Sequence, residues 1–589
     1  MKKGRIFFIS SLVLGLFVNQ GFSANQEELL KKIEDLSKEL EALKAQLKEL
    51  KAKQDTQEEK VSKVEKATKP ILESFGQIKL SGDIRTRIDA ARATIPSNAF
   101  MLGVLPGMSQ MLGSNLFGML YQINNDPNYL FLYANNYTLV TQGDIWNKFE
   151  KKTRSHKEDN DSLWTNRLRL DLSIKPTENT IAKVRLAYNK AWGMGDDYFA
   201  PHLFFPMKNN FTYGVRPDDS RLYVDRAYFN INYLFGKPIW ISFGRRPTTH
   251  GVPQEIREGI EKRDATPSAI NIDVPFDGAT IGYDYDWGRI RFCYGRGFES
   301  GFKTPIDRAK DDVEFYGFNW DVYDQDNKFL NFQAFKAQDI FDFPSGDLYM
   351  FNPAFGMYMP ASMKPRTNLG DLYEIGLTWT HKNITLAGLS DVDYFLSLGM
   401  SIAEPKAMGR MDMPFYAFNG TNMMPVNIPV YYTLLNGMSM NPADIKKSTR
   451  TGYALYAGIR LPVPQVCGAK LGLEYNYGSK WWMPFHIGSD DPYMNKLSTR
   501  GHVAEIYWQQ DLPVGERLRK NGRALLRVGF QHYWFNYYGS ANWLETPRKI
   551  DDIKKWVKST NMQDQMRAMT MYVPLEKMWN LYGSLEIFF

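Results

Sequence analysis

Cysteine is scarce in this chain, since only Cys293 and Cys467 occur among 589 residues. Neither lies in a Cys-x-x-Cys or metal-ligand spacing, so the sequence predicts neither a disulfide framework nor a metal site. Long apolar runs are also missing, because beyond residue 24 no segment supplies the roughly 18 continuous apolar residues that a membrane helix requires. Any insertion of this later part of the chain into a membrane must therefore use strands.

Catalytic motifs are missing as well. The sequence contains no Gly-x-Ser-x-Gly, no His-Glu-x-x-His and no Walker-type loop, and its seven histidines are scattered. Gly295-Arg296-Gly297 is similar to the start of a dinucleotide motif, but it ends a predicted strand and opens no helix. The formal net charge of +7 is interleaved along the chain, which excludes a basic arm for nucleic acid. We therefore expect no enzyme, no cofactor and no nucleic-acid partner.

The N-terminus has the pattern of a secretory signal peptide. Lys2, Lys3 and Arg5 precede an apolar run from Phe7 to Val18, and small residues surround a cleavage point near Ala24. We expect residues 1–24 to be removed on export.

Residues 25–70 carry a heptad seam that ends before Pro70. Its flanks are rich in Lys, Glu and Gln, and the helix would be roughly 65 Å long at 1.5 Å per residue. The alternative is a single amphipathic helix lying on a domain. Such a seam needs a partner helix, so we predict a periplasmic coiled coil that self-associates through Leu29, Ile33, Leu36, Leu40, Leu43, Leu47 and Leu50. Because porin-sized barrels commonly pack in threes, we expect a homotrimer, although the Ile and Leu residues of the seam do not exclude a dimer.

Residues 75–589 alternate between apolar and polar side chains in segments of about ten. This period predicts an all-β transmembrane barrel of about 16 antiparallel strands, because a closed sheet leaves no unpaired edge in lipid. The alternation persists to the last residue, Phe589, which resembles the terminal signal read by bacterial barrel-assembly machinery. The alternative for this last segment is a half-buried strand of a soluble protein.

The connections between the predicted strands are of two kinds. Tight ones alternate with long ones, as in barrels that have short periplasmic turns and long outer loops. The tight connections lie at 176–179, 235–238, 286–288 and 325–328, and the long ones at 91–161, 190–221, 247–276, 339–370, 402–450 and 536–577.

If the apolar side of each strand faces lipid, the polar side faces the lumen. Basic residues then form a wall on the early strands, and acidic residues face it from later strands. Such an arrangement would set up a field across the lumen and favour anions. The alternative is that these charges pair with neighbours and fill the lumen. The predicted pore-lining residues are Arg85, Arg87, Arg167, Arg169, Lys183, Arg185, Arg226, Arg289, Arg291, Glu374, Glu474 and Glu505.

Two of the long loops are rich in methionine and phenylalanine, the first loop around residues 100–119 and the loop at 402–450 around residues 408–424. They are expected to fold inward as a constriction or to pack against each other. A copper site is not expected because no histidines flank the sulfur atoms.

Several short motifs carry a resemblance to a known group. They are Glu474-Tyr475-Asn476-Tyr477-Gly478-Ser479-Lys480-Trp481-Trp482, Asn495-Lys496-Leu497, Arg500-Gly501, Phe276-Asp277-Gly278 and Gly244-Arg245. With them the chain resembles an uncharacterised, domain-of-unknown-function family of bacterial outer-membrane porin-like β-barrels with an N-terminal coiled coil. The resemblance implies the fold and the outer-membrane location, and it supplies no substrate or site residue.

The sequence as a whole predicts an outer-membrane porin, in which a trimeric barrel passes small hydrophilic solutes and favours anions. One alternative is a structural tether whose rod reaches the peptidoglycan while the barrel is plugged. The other is an outer-membrane hydrolase that uses a histidine with a serine in the lumen.

Overall fold

The structure, a computed structural model, covers most of the barrel but little of the N-terminal region. It describes residues 77–97, 155–193, 220–299 (except 261, 262 and 264), 312–341, 349–352, 357–360, 368–418, 423–439 (except 437), 441–486, 491–514, 522–543, 546–559 and 574–589, and some single residues. The chain divides into two units, Met1–Gly76 and Gln77–Phe589. In the first unit only Lys38, Leu40, Glu41, Lys44 and Ala45 are described, all helical. The predicted signal peptide and the remaining seam residues lie outside the described residues.

Sixteen antiparallel strands form a closed barrel in the second unit, which confirms the predicted fold class and number. Each strand pairs with the next along the chain, and the last pairs with the first from Asp83 opposite Phe588 to Thr94 opposite Lys577. The strands are β1 Gln77–Ile95, β2 His156–Thr177, β3 Thr180–Ala191, β4 Tyr223–Ile231, β5 Ile239–Arg245, β6 Asp277–Tyr285, β7 Gly288–Phe298, β8 Val313–Gln325, β9 Lys328–Phe341, β10 Asn368–Leu386, β11 Leu389–Pro405, β12 Arg450–Pro462, β13 Ala469–Gly478, β14 Gly501–Leu512, β15 Arg523–Phe535 and β16 Lys577–Phe588.

The barrel wall reverses the usual placement of apolar and charged residues. On β1 the side chains of Leu80 and Ile84 are each 50% exposed, whereas Arg85 and Arg87 are buried. On β16 Leu585 is exposed in the same way. Since apolar bands of this extent are not left in water, the outer surface is suited to lipid. No helix in the described part of the chain is long and apolar enough to cross a membrane.

The connections alternate in length as the sequence predicts. Four of them are two-residue turns, Glu178-Asn179, Asp286-Trp287, Asp326-Asn327 and Ala387-Gly388. Asp326 and Asn327 both have positive φ angles, which matches the turn type that best fits the twist of a β-hairpin. The long connections, 96–155, 192–222, 246–276, 299–312, 342–367, 406–449, 479–500 and 536–576, all lie at the opposite end.

Several connections contain short elements of their own. They are the helices Gln254–Glu258 and Ile550–Trp556, the 3₁₀ turns Leu234–Gly236, Pro442–Asp444 and Lys496–Ser498, the strand pair Tyr349–Asn352 with Met357–Pro360, the three strands Gly409–Phe418, Met423–Tyr432 and Met438–Ser439, and the parallel pair Ile272–Asp273 with Phe485–His486.

The described residues include no constriction formed by the two methionine-rich loops. The first lies outside the described residues. The sixth forms a hairpin in which Gly409 is opposite Tyr432 and Phe418 is opposite Met423, and most of its side chains are outside the description. The inward folding of these loops stays a prediction.

Candidate functional site

The third long connection, residues 246–276 and hereafter loop L3, crosses the lumen. Glu258 lies 3.4 Å from Arg169 on β2, and Arg257 lies 3.0 Å from Glu505 on β14. On the remaining wall, the Arg460 guanidinium of β12 donates to the carbonyl of Ile256 at 2.7 Å, and Ser268 contacts Thr378 of β10 at 2.6 Å. A segment that contacts β2, β10, β12 and β14 must lie inside the barrel.

The seventh long connection, residues 479–500 and hereafter loop L7, packs against L3. The amide of Phe485 donates to the carbonyl of Asn271 at 2.8 Å, beside the parallel strand pair. The Trp482 side chain is completely buried in a cluster with Ile256 and Ile270. Its indole N–H donates to the carbonyl of Leu497 at 2.8 Å. L3 and L7 therefore form one unit inside the lumen, which we call the two-loop plug.

A buried network of ionised side chains ties the plug to the wall at a level that we call the waist. Glu505 accepts from Lys496 at 2.7 Å, from Arg257 at 3.0 Å and from the Tyr582 hydroxyl at 2.6 Å. Lys496 also pairs with Glu474, and Arg257 pairs with Asp491 of L7 at 3.4 Å. Charges this deeply buried are tolerated only when they are paired in this way.

The predicted basic wall is also largely paired at close range. Its arginines pair with acidic residues on their own or adjacent strands, and Arg167 and Arg169 additionally pair with Glu586 or Glu258. The pairs are Arg87 with Asp89 at 2.6 Å, Arg167 with Asp83 at 3.2 Å, Arg169 with Asp83 at 2.6 Å, Arg185 with Asp171 at 2.7 Å, Arg226 with Asp225 at 3.1 Å, Arg289 with Asp284 at 2.5 Å and Arg291 with Asp321 at 2.5 Å.

The predicted acidic side contains Glu374, Glu474 and Glu505, and all three are buried among protein atoms. Glu474 and Glu505 pair with the plug, as described above. Glu374 accepts from the Asn271 side chain of L3 at 2.7 Å. The acidic residues hold the plug in place and do not face the arginines across open space.

A large cavity lies between L3 and the short-turn end of the barrel. Its volume is about 1680 Å³, and we call it the vestibule. Among the described residues, fourteen Lys or Arg side chains and eight Asp or Glu side chains line it, so cations are in excess. Six of the twelve predicted pore-lining residues are in this lining: Arg169, Lys183, Arg185, Arg226, Arg289 and Arg291. The lining does not include Arg85, Arg87, Arg167 or the three predicted glutamates.

Pairing in the vestibule is uneven. Its acidic residues mostly have cationic partners, such as Asp393 with Arg460 at 2.6 Å and Asp511 with Arg523 at 2.6 Å. Among the described residues, no carboxylate pairs with the vestibule cations Lys79, Lys183, Arg246 and Lys328. These four side chains, which line the vestibule, therefore contribute to its positive surplus.

One ion pair inside L3 involves a histidine. His250 Nδ1 lies 2.9 Å from Glu258, and both side chains are buried. Burial by itself disfavours both charges, but Arg169 and His250 hold the pKa of Glu258 well below its usual value. Burial would likewise lower the pKa of His250, but the carboxylate of Glu258 outweighs it and raises that pKa. In L7, burial lowers the pKa of His486 to about 3, so this ring is neutral.

Most of the chain matches a known protein family. Residues 157–589 match the family described as protein of unknown function (DUF3373). The chain belongs to this family. No curated protein matches this DUF3373 member.

Solved structures similar to this DUF3373 member include bacterial outer-membrane barrels. An anion-selective porin from Comamonas acidovorans is 10% identical, over 87% of this chain and 99% of that chain, with a TM-score of 0.37. The outer membrane channel DcaP of Acinetobacter baumannii is 9% identical, over 87% and 97%, with a TM-score of 0.33. The trimer form of OmpT, an outer membrane protein of Vibrio cholerae, is 9% identical, over 87% and 99%, with a TM-score of 0.32.

The plug residues of this DUF3373 member were not identified as site residues from the sequence. Arg257, Asp491 and Lys496 lie in segments without periodicity, where only the fold shows their partners. One feature of the sequence did point to L7, since Trp481-Trp482 and Asn495-Lys496-Leu497 are among the motifs that carry the family resemblance. No group of three or more His, Cys, Asp or Glu side chains in the described part of the chain is arranged to hold a metal ion.

Proposed function

We propose that the chain is an outer-membrane diffusion channel for small hydrophilic solutes that favours anions. The observation that carries this proposal is the excess of cations in the vestibule, fourteen against eight among the described residues. A basic lining in a confined space with low-dielectric walls raises the local concentration of anions.

The two-loop plug sets the size limit in this proposal. Because L3 and L7 occupy the waist, solutes have to pass beside the plug or wait for its movement. We therefore propose a low conductance for a barrel of this strand number, since a sixteen-stranded barrel without a plug encloses a wide aqueous channel.

The proposed orientation follows the general asymmetry of such barrels. The short turns and the vestibule face the periplasm, together with the predicted coiled coil of residues 25–70, and the long loops face outward. We further propose that the chain assembles as a homotrimer and that barrel-assembly machinery recognises the C-terminal strand ending in Phe589. The amide and carbonyl of Phe589 both pair with Gly82, at 3.0 Å each, so this strand end is part of the closure of the barrel.

Reversal potentials in a potassium chloride gradient across planar bilayers test the proposal. The wild type should favour chloride. Replacing the vestibule cations Lys79, Lys183 and Lys328 by Ser should shift the selectivity toward potassium. The control is the triple replacement of Lys446, Lys447 and Lys549, exposed lysines at the long-loop end, which salt screens strongly. Equal shifts in both triples, or no chloride preference in the wild type, would contradict an anion-favouring vestibule.

A second candidate function, a structural tether, is favoured by the paired and buried waist. In this case the rod of residues 25–70 reaches the cell wall and the plug keeps the barrel closed. Folded protein that remains electrically silent in bilayers supports the tether, whereas stepwise conductance supports the channel.

A further inference from the structure

Arg246 is the first residue of L3, and its guanidinium lies in the lumen wall beside the vestibule. Its side chain donates to the hydroxyl of Ser242 and lies over the ring of Tyr228 at 5.1 Å. The residue is only 8% exposed, and no carboxylate in the described part of the chain pairs with it. Burial lowers the pKa of Arg246 from its usual value, as expected for a charge that lacks a counter-charge.

A second arginine in the vestibule provides a comparison. Arg263 also lies over an aromatic ring, that of Phe329 at 4.0 Å. Arg263, however, pairs with Asp324 and with Asp321. The two cations thus have similar aromatic contacts, but only Arg263 has its charge balanced by the protein.

The neighbours of Arg246 add positive charge to its surroundings. Lys183 of β3 is directly opposite Tyr228 of β4, lines the vestibule and has no described carboxylate partner. Arg226 and Arg291 line the vestibule nearby, but each pairs with an aspartate. Arg246 and Lys183 therefore have no carboxylate partner in the described part of the chain, and an anionic solute in the vestibule can neutralise their charges.

We propose that Arg246, together with Lys183, binds the oxyanion group of a small solute, a carboxylate or a phosphate, above the ring of Tyr228. The planar guanidinium presents paired N–H donors that match such a group, and the low-dielectric wall strengthens the contact. The proposal rests on the proposed channel function only in that the solute reaches the site through the vestibule. The proposed site adds saturable binding at Arg246 and Lys183 to the general preference of the vestibule for anions.

Isothermal titration calorimetry on the detergent-solubilised full chain tests the proposal, with inorganic phosphate and acetate as separate probes. Whichever probe binds identifies the oxyanion class. We expect saturable binding of one probe per chain. Because a hydrogen-bonded charge contact contributes about 1.5–3 kcal/mol, Arg246→Gln should weaken binding by roughly tenfold or more. Arg246→Lys should retain part of the affinity, since it keeps the charge without the paired donors.

The control is Lys237→Gln, which removes an equal charge from the exposed turn before β5, outside the vestibule lining, and should leave the affinity within about twofold. Band shifts on unheated gels verify that each variant is folded. No saturable binding of either probe, or equal losses in Arg246→Gln and Lys237→Gln, would overturn the site. A selective channel without binding refutes this site alone, whereas binding without conductance refutes the channel alone.

Discussion

At the waist of the barrel, Arg257 and Lys496 share Glu505 as a partner, whereas in the vestibule Arg246 and Lys183 have no carboxylate partner among the described residues. The alternating strands supply charged side chains to both regions, such as Glu505 at the waist and Lys183 in the vestibule. The difference comes from the loops, because L3 and L7 bring counter-charges to the waist and leave the vestibule with surplus cations. The number of lumen arginines therefore does not determine the field in the lumen. The field depends on which of these arginines are neutralised by carboxylates of neighbouring strands or of the loops.

The largest expected effect is the loss of the waist network. Glu505→Gln leaves Arg257 and Lys496 without their shared carboxylate, and breaking a buried ion pair costs about 3–5 kcal/mol. We expect L3 and L7 to leave their positions and the single-channel conductance to rise severalfold. The matched control is Glu314→Gln, which alters a carboxylate on the outer surface, where Glu314 accepts from Tyr294 at 3.0 Å. Unchanged conductance in folded Glu505→Gln protein would show that the network does not hold the plug.

A matched pair of replacements separates the two regions directly. Arg167 belongs to a second buried network, which reaches L3 through Glu586, Arg169 and Glu258. It pairs with Asp83 and Glu586, so Arg167→Ser should leave two buried carboxylates short of a partner and lower the free energy of unfolding by a few kcal/mol. Lys183 in the vestibule has no described partner, so Lys183→Ser should leave the unfolding free energy within about 0.5 kcal/mol and shift only the selectivity.

Urea unfolding followed by tryptophan fluorescence and reversal potentials measure these two quantities. The distinction between the buried, paired cations and the vestibule cations fails if both variants lose stability equally, or if Arg167→Ser changes selectivity without any change in stability.

The barrel wall could be predicted from the sequence because lipid and water impose a strict period of two on each strand. Sixteen strands were expected and sixteen are observed, and the turn at Asp326-Asn327 lies within the predicted tight connection. The strand ends were less accurate. β1 continues to Ile95 and β2 starts at His156, within the connection predicted at 91–161, because strands that project beyond the membrane lose the apolar half of the pattern.

The plug could not be predicted, because its contacts join residues that are far apart in the chain and follow no period. Arg257 and Glu505, for example, are separated by 248 positions. The alternation along the strands left open whether the predicted lumen arginines face solutes or pair with neighbouring charges. The structure pairs most of them with aspartates on the same or adjacent strands, and Arg169 also with Glu258 of L3. The sequence predicted inward folding for the methionine-rich loops, whereas the described plug consists of L3 and L7. Ion pairs at the waist and apolar clusters with the barrel wall both hold these two loops.

The smallest expected effect concerns the pH dependence of the plug. His250 in L3 pairs with Glu258 and has a raised pKa, and its backbone N–H donates to Asp273 at 2.8 Å. Arg169 and Asp225 also act on this pair electrostatically. A raised histidine pKa stabilises L3 fully below the usual value of about 6.5, and this contribution is lost as the pH rises through the raised pKa. Glu258 stays ionised over this range because its pKa is lowered.

We therefore expect the conductance of the wild type to increase modestly as the pH rises above about 6.5, because His250 then loses its proton and L3 is held less firmly. His250→Gln should remove this pH dependence. His156→Gln is the control, because His156 is half-buried at the start of β2 and lies 3.3 Å from Glu158. This variant should keep the wild-type profile. An identical pH profile in wild type and His250→Gln would mean that the charge on this histidine does not contribute to holding L3 at the waist, and that the waist relies on Arg257, Lys496 and Glu505 alone.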